Sequence, residues 1–285
     1  MQINGQTRIV GIIGDPVKHS RSPQMHNAAF NHLNLNFAYI PFHVKPELVG
    51  EAIKGMKALD IVGLNVTVPH KIEVMKYLDE ISPAARIIGA VNTIYVKDNR
   101  LIGDNTDGCG FVRALVEDED ITIAGKNAVI LGSGGSARAI GHALLKEGIN
   151  RLIFCNRTVS KAEEMAISFQ TQGAAFVAGM GITDGMSEIT HADILINTTS
   201  AGMKQDDPLL IDSGWLQEGQ VVCDIIYSPP RTLLLQEAKK RGAIAINGLG
   251  MLVHQGALSF EIWTGCPAPV EIMRKAVDMD NNKWI

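Results

Sequence analysis

The clearest hydrophobic pattern in the chain is a short apolar run at 128–131, followed by glycines and then by a helical periodicity. Four apolar residues that end in Gly132, Gly134 and Gly135 are typical of a buried parallel strand that turns sharply into a helix. A second apolar run follows at 152–155. This strand, glycine turn, helix and strand of about 30 residues predict the first half of a dinucleotide-binding fold.

Apolar runs and helical periods continue to alternate after this unit. Strands are predicted at 193–197, 221–226 and 243–246, with a helix at 232–241. The stretch 248–277 is helical again, with an interruption at Cys266-Pro267, and the polar tail 278–285 is expected to fray. Because the last helices follow the final strand of this block, we expect them to cross back and pack on the first half of the chain.

The first hundred residues carry a second alternating block. The pattern predicts three strands, two helices and a hairpin-like segment broken at Asp98-Asn99. Pro23 suits the first position of a helix, and Ser22 suits its N-cap. The strands are 9–13, 38–44, 61–66 and the hairpin 95–102, and the helices are 24–33 and 47–59. The chain is therefore predicted to be an α/β protein with two α/β domains, residues 1–107 completed by 248–285, and residues 108–247.

Composition narrows the class of protein. The 285 residues are 46% hydrophobic and 20% charged, with a net charge of −4, which suits a soluble globular protein and argues against disorder. The sequence has no stripe of Lys and Arg, so we expect no nucleic-acid partner. No apolar run reaches the ~20 residues of a membrane span, so we expect no membrane partner. Four scattered cysteines and eight histidines show no metal-binding spacing, so we expect no metal site and reduced thiols in the cytoplasm.

The glycine turn predicts how a dinucleotide is held. Gly132 permits the tight turn, Gly134 lets the backbone approach a pyrophosphate, and Ala137 lets helix and strand pack closely. The amides at the helix N-terminus then face the phosphates. The alternative is a glycine-rich connection in an unrelated α/β domain.

The end of the second strand indicates which dinucleotide is bound. An NAD site places an acid there, about 20 residues after the glycines, to bind the ribose 2′-hydroxyl. Here the sequence is Asn156-Arg157-Thr158, and no acid occurs until Glu163. A guanidinium beside a hydroxyl suits a 2′-phosphate, so the cofactor is predicted to be NADP.

Three segments of the first block carry polar residues at predicted strand ends, where open α/β sheets bind ligands. Ser20 and Ser22 lie two apart and can clasp one carboxylate, unless Ser22 only caps the next helix. Asn65, Thr67 and Lys71 follow the strand 61–66. Pro69 would start a helix with Lys71 in its first turn, where the helix dipole disfavours an ammonium and favours acid–base chemistry. The alternative is a surface lysine.

The run from Gly103 to Gly108 joins the two blocks. Asp107 either caps the following helix or pairs with Lys71, and the sequence alone leaves both options open. A carboxylate beside Lys71 would favour the charged amine and hold it in place.

Taken together, these segments resemble the shikimate dehydrogenase family over essentially the full length, from Gly11 to Met273. The motifs that carry the resemblance occur in one order along the chain: GDP, HSRSP, NVTVPHK, AVNT, DNTDG, GSGGSAR, NRT, NTTSAGM, DIIYSPPRT and GLGMLVHQG. So many motifs in one order are far more specific than any one of them.

The resemblance implies reversible reduction of 3-dehydroshikimate to shikimate by NADPH, as part of aromatic amino acid biosynthesis. It implies that Lys71 and Asp107 are the catalytic pair and that residues of the first domain, with one from the second, bind substrate: Ser20, Ser22, Asn65, Thr67, Asn92, Tyr227 and Gln255. The implied cofactor-binding residues are Gly132, Ser133, Gly134, Gly135, Ser136, Ala137, Asn156, Arg157, Thr158, Thr199, Met203, Gly248 and Met251.

Three other functions remain open on the sequence. A quinate/shikimate dehydrogenase using NAD or NADP has the same motifs, although Arg157 favours NADP. A non-catalytic sensor of NADPH or shikimate would not need Lys71 and Asp107. A related NADP-dependent reductase could act on another small acid. The partners are small molecules, and the chain is expected to be a monomer or a homodimer.

Overall fold

The computed structural model describes residues 3–169, 175–204 and 206–278. The strands are β1 (Arg8–Gly14), β2 (Phe37–His43), β3 (Ile61–Val66), β4 (Glu80–Ile81), β5 (Thr93–Lys97), β6 (Arg100–Asp104), β7 (Asn127–Leu131), β8 (Arg151–Cys155), β9 (Phe176–Met180), β10 (Ile194–Asn197), β11 (Val221–Asp224) and β12 (Ile244–Ile246).

The helices are α1 (Ser22–His32), α2 (Val49–Ala58), α3 (Pro83–Ile88), α4 (Asp107–Arg113), α5 (Gly135–Lys146), α6 (Val159–Phe169), α7 (Met186–His191), α8 (Leu233–Lys240), α9 (Leu249–Thr264) and α10 (Val270–Val277). Short 3₁₀ turns occur at Pro46–Leu48, Glu73–Tyr77 and Ser213–Trp215, and α4 continues as a π-helical turn, Ala114–Asp118. None of the helices within the described residues is long and apolar enough to cross a membrane.

The chain divides into two compact units. The first is Met1–Gly110 together with Val253–Ile285, and the second is Phe111–Leu252. The first boundary falls inside α4 and the second inside α9. The tail 279–285, expected from the sequence to fray, lies outside the described residues.

The first unit is built on a mixed six-stranded sheet in the order β2-β1-β3-β5-β6-β4. β1 is parallel to β2 and β3, whereas β5 runs antiparallel to β3 and β6. The turn between β5 and β6 is Asp98-Asn99, both with positive φ (50° and 58°), as a two-residue type I′ hairpin requires. The register places Asn65 opposite Thr93, and Thr93 opposite Asp104, so three separate segments meet at one end of the sheet.

The helices α9 and α10, predicted to return to the first half of the chain, belong to the first unit from residue 253 onward. The Trp263 indole donates a hydrogen bond to the Ile94 carbonyl at 3.1 Å, and a Cβ at Gly63 would collide with this ring. Phe260 stacks on Phe30 with ring centroids 5.1 Å apart. The last helices therefore complete the core of the first unit.

A buried histidine lies within this aromatic cluster. The ring of His26 is fully buried and stacks on Tyr39, with ring centroids 4.4 Å apart and planes 2° from parallel. Neither ring nitrogen has a hydrogen-bond partner among the described residues. Burial lowers the pKa of His26 to about 3, because no neighbouring group compensates for the lost hydration of an imidazolium.

Because His26 is buried in its neutral form, the stability of the fold should decrease at acidic pH, and His26→Phe should remove this part of the decrease. The unfolded-state pKa of 6.5 lies above the folded pKa, so the unfolded chain binds more protons, and stability is lost as pH falls below 6.5. Between pH 7 and pH 5 the wild type should lose about 2 kcal/mol more unfolding free energy than the variant, at 1.36 kcal/mol per pKa unit. Urea unfolding in a Trp215→Phe, Trp284→Phe background leaves Trp263 as the reporter. Equal losses for both proteins would contradict this assignment.

The second unit is built on a fully parallel six-stranded sheet in the order β9-β8-β7-β10-β11-β12. The strand order reverses between β7 and β10, which is the switch point where dinucleotides bind in this type of fold. Apolar clusters on the two faces of the sheet include Ile130 and Phe154 on one side, and Leu131 and Leu195 on the other.

The predicted fold class, α/β with two α/β domains of which one is Rossmann-type, is confirmed. Each predicted strand and helix is present except the helix expected to start at Pro69, and the ends differ from the prediction by at most two residues. The sequence patterns did not indicate five elements: β4, β9, α3, α6 and α7. The sequence predicted domain limits at residues 107 and 247, and these limits stay a prediction. The compact units of the structure end at residues 110 and 252.

Candidate active site

An ion pair lies at the end of the first sheet. The Lys71 ammonium is 2.6 Å from Asp107 Oδ2, and 21% of the lysine side chain is exposed, against 7% of the aspartate side chain. The amine is thus accessible while its counter-ion is buried. A partly exposed amine held against a buried carboxylate can exchange a proton with a bound molecule and return to one position.

Lys71 is not in the first turn of a helix, as the sequence suggested. Residues 68–72 form consecutive turns, and the 3₁₀ turn Glu73–Tyr77 begins only afterwards. The Lys71 carbonyl accepts a hydrogen bond from the Val91 amide (2.8 Å), and the buried His70 side chain lies 2.7 Å from the Val44 carbonyl. These contacts tie the segment to the residue that follows β2 and to the segment that precedes β5. Because no helix starts here, the helix-dipole argument does not apply to Lys71.

Asp107 does not cap α4, because both its carboxylate oxygens are used elsewhere. Oδ2 faces Lys71, and Oδ1 accepts a hydrogen bond from Asn92 Nδ2 at 2.8 Å. The Asp107 amide itself donates to the Asn105 side-chain oxygen at 3.1 Å. Of the two options that the sequence left open for Asp107, the structure shows the pair with Lys71.

Asn92 connects this ion pair to its surroundings. Its Nδ2 donates to Asp107, to Thr106 Oγ1 (2.9 Å) and, at 3.4 Å, to Gln255 Oε1, while its Oδ1 accepts from the Thr106 amide (2.8 Å). Asn92 is 2% exposed. Its amide orientation is therefore fixed from both sides, and it fixes the Asp107 carboxylate in turn.

Asn65 lies in a second buried network beside the first. Its Oδ1 accepts a hydrogen bond from the Tyr39 hydroxyl at 2.7 Å, and its Nδ2 donates to Ser259 Oγ at 2.9 Å. Thr93 Oγ1 lies 2.8 Å from Ser259 Oγ and links this group to Asn92 Oδ1 (2.9 Å). Burial raises the pKa of Tyr39, so its hydroxyl remains a donor.

The Ser20–Ser22 segment lies at the start of α1. Ser22 is the first helical residue and is not the N-cap that the sequence suggested; that position is Arg21, and no side chain caps the helix there. The Ser22 amide donates to Ser20 Oγ at 3.3 Å, and Ser22 also hydrogen-bonds the Tyr39 hydroxyl. Tyr39 thus joins Ser22 to Asn65. Thr67 follows β3, is half-buried and packs its methyl group against Gly14.

The predicted pyrophosphate turn in the second unit is open and uncapped. Gly132 has φ +109°, and a Cβ there would lie 2.7 Å from Thr198 Oγ1, so both conformation and space require glycine. Gly134 is the N-cap of the 12-residue α5, and a Cβ there would meet nothing within 4 Å. Ser133 Oγ is buried without a hydrogen-bond partner among the described residues. An uncapped helix start, an open approach and an unsatisfied hydroxyl fit a bound phosphate group.

The neighbouring predicted residues complete this end of the sheet. Gly135 is the first residue of α5, Ser136 is half-buried, and Ala137 is fully buried against the sheet. Asn156, directly after β8, donates its side-chain amide to the Thr158 carbonyl at 3.1 Å. Arg157 and Thr158 are both exposed. Within the described residues, no group of three or more His, Cys, Asp or Glu side chains is placed to hold a metal ion.

The family models match three segments of the chain. They are the shikimate dehydrogenase substrate binding domain at residues 12–94, shikimate / quinate 5-dehydrogenase at 114–215, and the shikimate 5′-dehydrogenase C-terminal domain at 248–277. The chain belongs to the shikimate dehydrogenase family. The family resemblance predicted from the sequence motifs is therefore confirmed.

Similar proteins agree with this membership over nearly the full length. The shikimate dehydrogenase (NADP(+)) of Methanopyrus kandleri is 46% identical over 282 residues, covering 97% of each chain. A crystal structure of a shikimate dehydrogenase in complex with NADP+ is 47% identical, with a TM-score of 0.90 and 96% of each chain covered. The shikimate 5-dehydrogenase of Listeria monocytogenes, solved in complex with shikimate and NAD, is 36% identical with a TM-score of 0.90, covering 96% of this chain and 98% of that one.

Five further site residues predicted from the family resemblance lie in the second unit. Thr199 is half-buried and donates its hydroxyl to Asn197 Oδ1 (2.8 Å), while Met203 is 57% exposed. A Cβ at Gly248 would collide with the Ile225 carbonyl, so packing alone requires glycine there. Met251 packs on the apolar core, and Tyr227, half-buried, follows β11.

Several residues of these networks were not predicted. Tyr39, Ser259 and Thr106 support the polar residues of the first unit, and Asn197 with Asp224 form a buried pair in the second. Tyr39 and Ser259 lie within a strand and a helix, where sequence patterns predict a structural role. Only the strand register and the return of α9 bring them to the polar cluster.

Proposed function

We propose that this protein is an NADP-dependent shikimate dehydrogenase, an oxidoreductase that reversibly reduces 3-dehydroshikimate to shikimate. The observation that carries the proposal is the partly exposed Lys71 ammonium, 2.6 Å from the buried Asp107 carboxylate, in a chain that is 46% identical to an NADP(+)-dependent shikimate dehydrogenase. A protein that only sensed a ligand would have no use for an acid–base pair in this arrangement.

Lys71 moves the proton. Reduction of a ketone leaves negative charge on its oxygen, and the Lys71 ammonium donates a proton to that oxygen; in the oxidative direction the neutral amine removes the hydroxyl proton. Asp107 holds the amine in position, and Asn92 holds Asp107 through the hydrogen bond at 2.8 Å. The bound cofactor supplies the hydride.

Polar side chains of the first unit orient the substrate. The Ser20 and Ser22 hydroxyls bind its carboxylate, while Asn65, Thr67, Asn92 and Gln255 complete the pocket for its hydroxyl groups. The family resemblance also implies a substrate-binding role for Tyr227. The buried networks behind Asn65 and Asn92 keep these amides in one orientation, so that little entropy is lost on binding.

The second unit holds NADP. The amides of the turn Gly132–Gly135, with Ser133, Ser136 and Ala137 at the start of α5, bind the pyrophosphate. Asn156, Arg157 and Thr158 bind the 2′-phosphate, because an exposed guanidinium at this strand end pairs with phosphate oxygens. Thr199, Met203, Gly248 and Met251 lie on the nicotinamide side.

Steady-state kinetics with two substrates and two cofactors test the function. We expect kcat/KM to be highest for shikimate with NADP, and lower for quinate and for NAD. A quinate/shikimate dehydrogenase would use quinate comparably well, and a sensor would bind NADPH or shikimate without turnover. Absence of turnover with shikimate would refute the proposal.

Alanine at each serine tests the carboxylate clasp. Ser20→Ala and Ser22→Ala should each raise KM for shikimate more than they lower kcat, since a hydrogen bond to a charged group contributes about 1.5–3 kcal/mol. Because both hydroxyls bind one carboxylate, the effects should not add in the double variant. Kinetics of the three variants measure this. If the wild type used shikimate methyl ester as well as shikimate, the clasp would be the wrong assignment.

The proposed function also includes a location in the cell and an oligomeric state. Four free cysteines, two of them buried, suit a reducing compartment, and we place the enzyme in the cytoplasm. Its partners are its small-molecule substrates, with no nucleic acid or membrane partner, and it acts as a monomer or homodimer.

A further inference from the structure

A buried carboxylate that has no cationic partner among the described residues lies at the end of β11. Asp224 is 1% exposed and accepts three hydrogen bonds from neutral donors: the Thr232 hydroxyl (2.7 Å), the Ile226 amide (3.1 Å) and Asn197 Nδ2 (3.2 Å). Burial raises the pKa of Asp224, and the hydrogen bonds from these three donors reduce the size of this increase. Burying a carboxylate costs free energy unless hydrogen bonds compensate for the lost hydration. The segments that donate these hydrogen bonds are therefore the ones that Asp224 holds in place.

The first partner, Asn197, shapes the loop that follows β10. Asn197 Nδ2 donates to the Ala201 carbonyl (3.1 Å), and its Oδ1 accepts from both the amide and the hydroxyl of Thr199 (3.0 and 2.8 Å). The bond to Asp224 fixes which way this amide faces. Reversing the Asn197 amide would set nitrogen against the Thr199 amide and oxygen against the Ala201 carbonyl, so the carboxylate and the loop stabilise the same orientation of this amide.

The second partner, the Ile226 amide, belongs to the segment after β11. The Ile226 carbonyl accepts from the Gly248 amide at 3.1 Å, and Gly248 packs against the Ile225 backbone. One carboxylate therefore holds the loop that contains Thr199 and Met203 and also the segment that supports Gly248. Both segments lie on the nicotinamide side in the proposed function.

We propose that Asp224 is a positioning residue for the nicotinamide half of NADP, which acts by orienting Asn197 and the backbone at Ile226. This inference rests on the proposed function. The adenosine half is bound by the glycine turn and by the residues after β8, and Asp224 has no hydrogen bond to either of those segments among the described residues.

The test compares the binding of two ligands by calorimetry. NADPH has both halves, whereas 2′,5′-ADP has only the adenosine half with its 2′-phosphate. Asp224→Ala should weaken NADPH binding by about fivefold or more, the loss of one or more hydrogen-bonded contacts, and leave 2′,5′-ADP binding unchanged. Asp224→Asn should restore most of the NADPH affinity, because an amide oxygen can still accept from Asn197 and Ile226 while its nitrogen donates to Thr232.

Two more variants complete the design. Asn197→Ala removes the link to the loop while leaving the Thr232 and Ile226 bonds intact, and it should give the same ligand pattern if Asp224→Ala fails to fold. Asp193→Ala is the matched control, since Asp193 accepts the Asn127 amide (2.8 Å) at the opposite end of the same sheet, and it should change neither affinity.

The outcomes separate the two proposals. Failure of the wild type to bind NADPH would refute the proposed function. If the wild type binds NADPH normally, two results for Asp224→Ala would overturn the role of Asp224. One is an equal loss of affinity for NADPH and 2′,5′-ADP, and the other is no loss of affinity for either ligand.

Discussion

Lys71→Ala should lower kcat by about 10²–10⁴, the usual cost of losing a positioned acid–base group. The Lys71 amine is 2.6 Å from Asp107 and partly exposed, so its loss removes proton transfer without leaving a cavity in the core. KM should change less, because the proton moves only in the transition state. Steady-state kinetics in both directions at saturating substrate measure the effect.

A matched ion pair in the same unit provides the control. Lys57 Nζ lies 2.9 Å from Asp79 Oδ2, on the surface, and Lys57→Ala should leave kcat unchanged. Asp107→Asn should also lower kcat, and the double variant with Lys71→Ala should show little further loss, because the two groups act as a unit. A Lys71→Ala enzyme with near-wild-type kcat would refute the assignment.

Arg157→Asp should reverse the preference between cofactors. The wild type should favour NADP over NAD by well over tenfold in kcat/KM, because a charge-assisted phosphate contact contributes about 1.5–3 kcal/mol and tenfold corresponds to about 1.4 kcal/mol. In the variant a carboxylate faces the 2′-phosphate, so NADP use should fall sharply. NAD use should fall little or rise, because the acid can accept the ribose hydroxyl.

The comparison needs a second charge reversal as control. Lys146→Asp changes the same charge at the far end of α5, on an exposed residue, and should leave the NADP/NAD ratio as in the wild type. KM for shikimate should barely move in either variant. Equal use of NAD and NADP by the wild type would remove the case for NADP specificity and favour a quinate/shikimate dehydrogenase.

The fold was predictable where apolar residues carry a clear period. The strand 61–66 was predicted with both ends correct because it is central in the sheet and buried at five of its six positions, and glycines marked the turn after β7. β9 was missed because Phe176–Met180 is a partly exposed edge strand, and its apolar residues are broken by Gly179, so no alternation marks it. β4, with two residues, is too short to leave a pattern.

The polar clusters were predictable only in part. Sequence motifs indicated Lys71, Asp107 and Asn92, and the structure places all three in one hydrogen-bonded group. The helix expected at Pro69 was wrong because hydrogen bonds to Val91 and Val44 hold that segment against the loops beside β5 and β2, and such long-range contacts leave no local signal. The role of Tyr39 behind Ser22 and Asn65 likewise depends on strand register, which sequence patterns do not reveal.

The split of the first unit into two stretches of chain bears on how the protein is made. The strands β1–β6 leave the ribosome before α9, which brings Ser259 to Asn65, Trp263 to Ile94 and Phe260 to Phe30. About 140 residues intervene, so at about 5–20 residues per second the nascent first unit waits roughly 7–30 s for its missing helix.

The second unit is one continuous stretch and has no such delay. During synthesis, therefore, the cofactor-binding unit can close while the sheet that carries Lys71 still exposes the apolar surface that Phe260 and Trp263 will cover. The surroundings of the reactive pair are the last part of the molecule to assemble, and the need for chaperone protection falls on the half of the chain that is synthesised first.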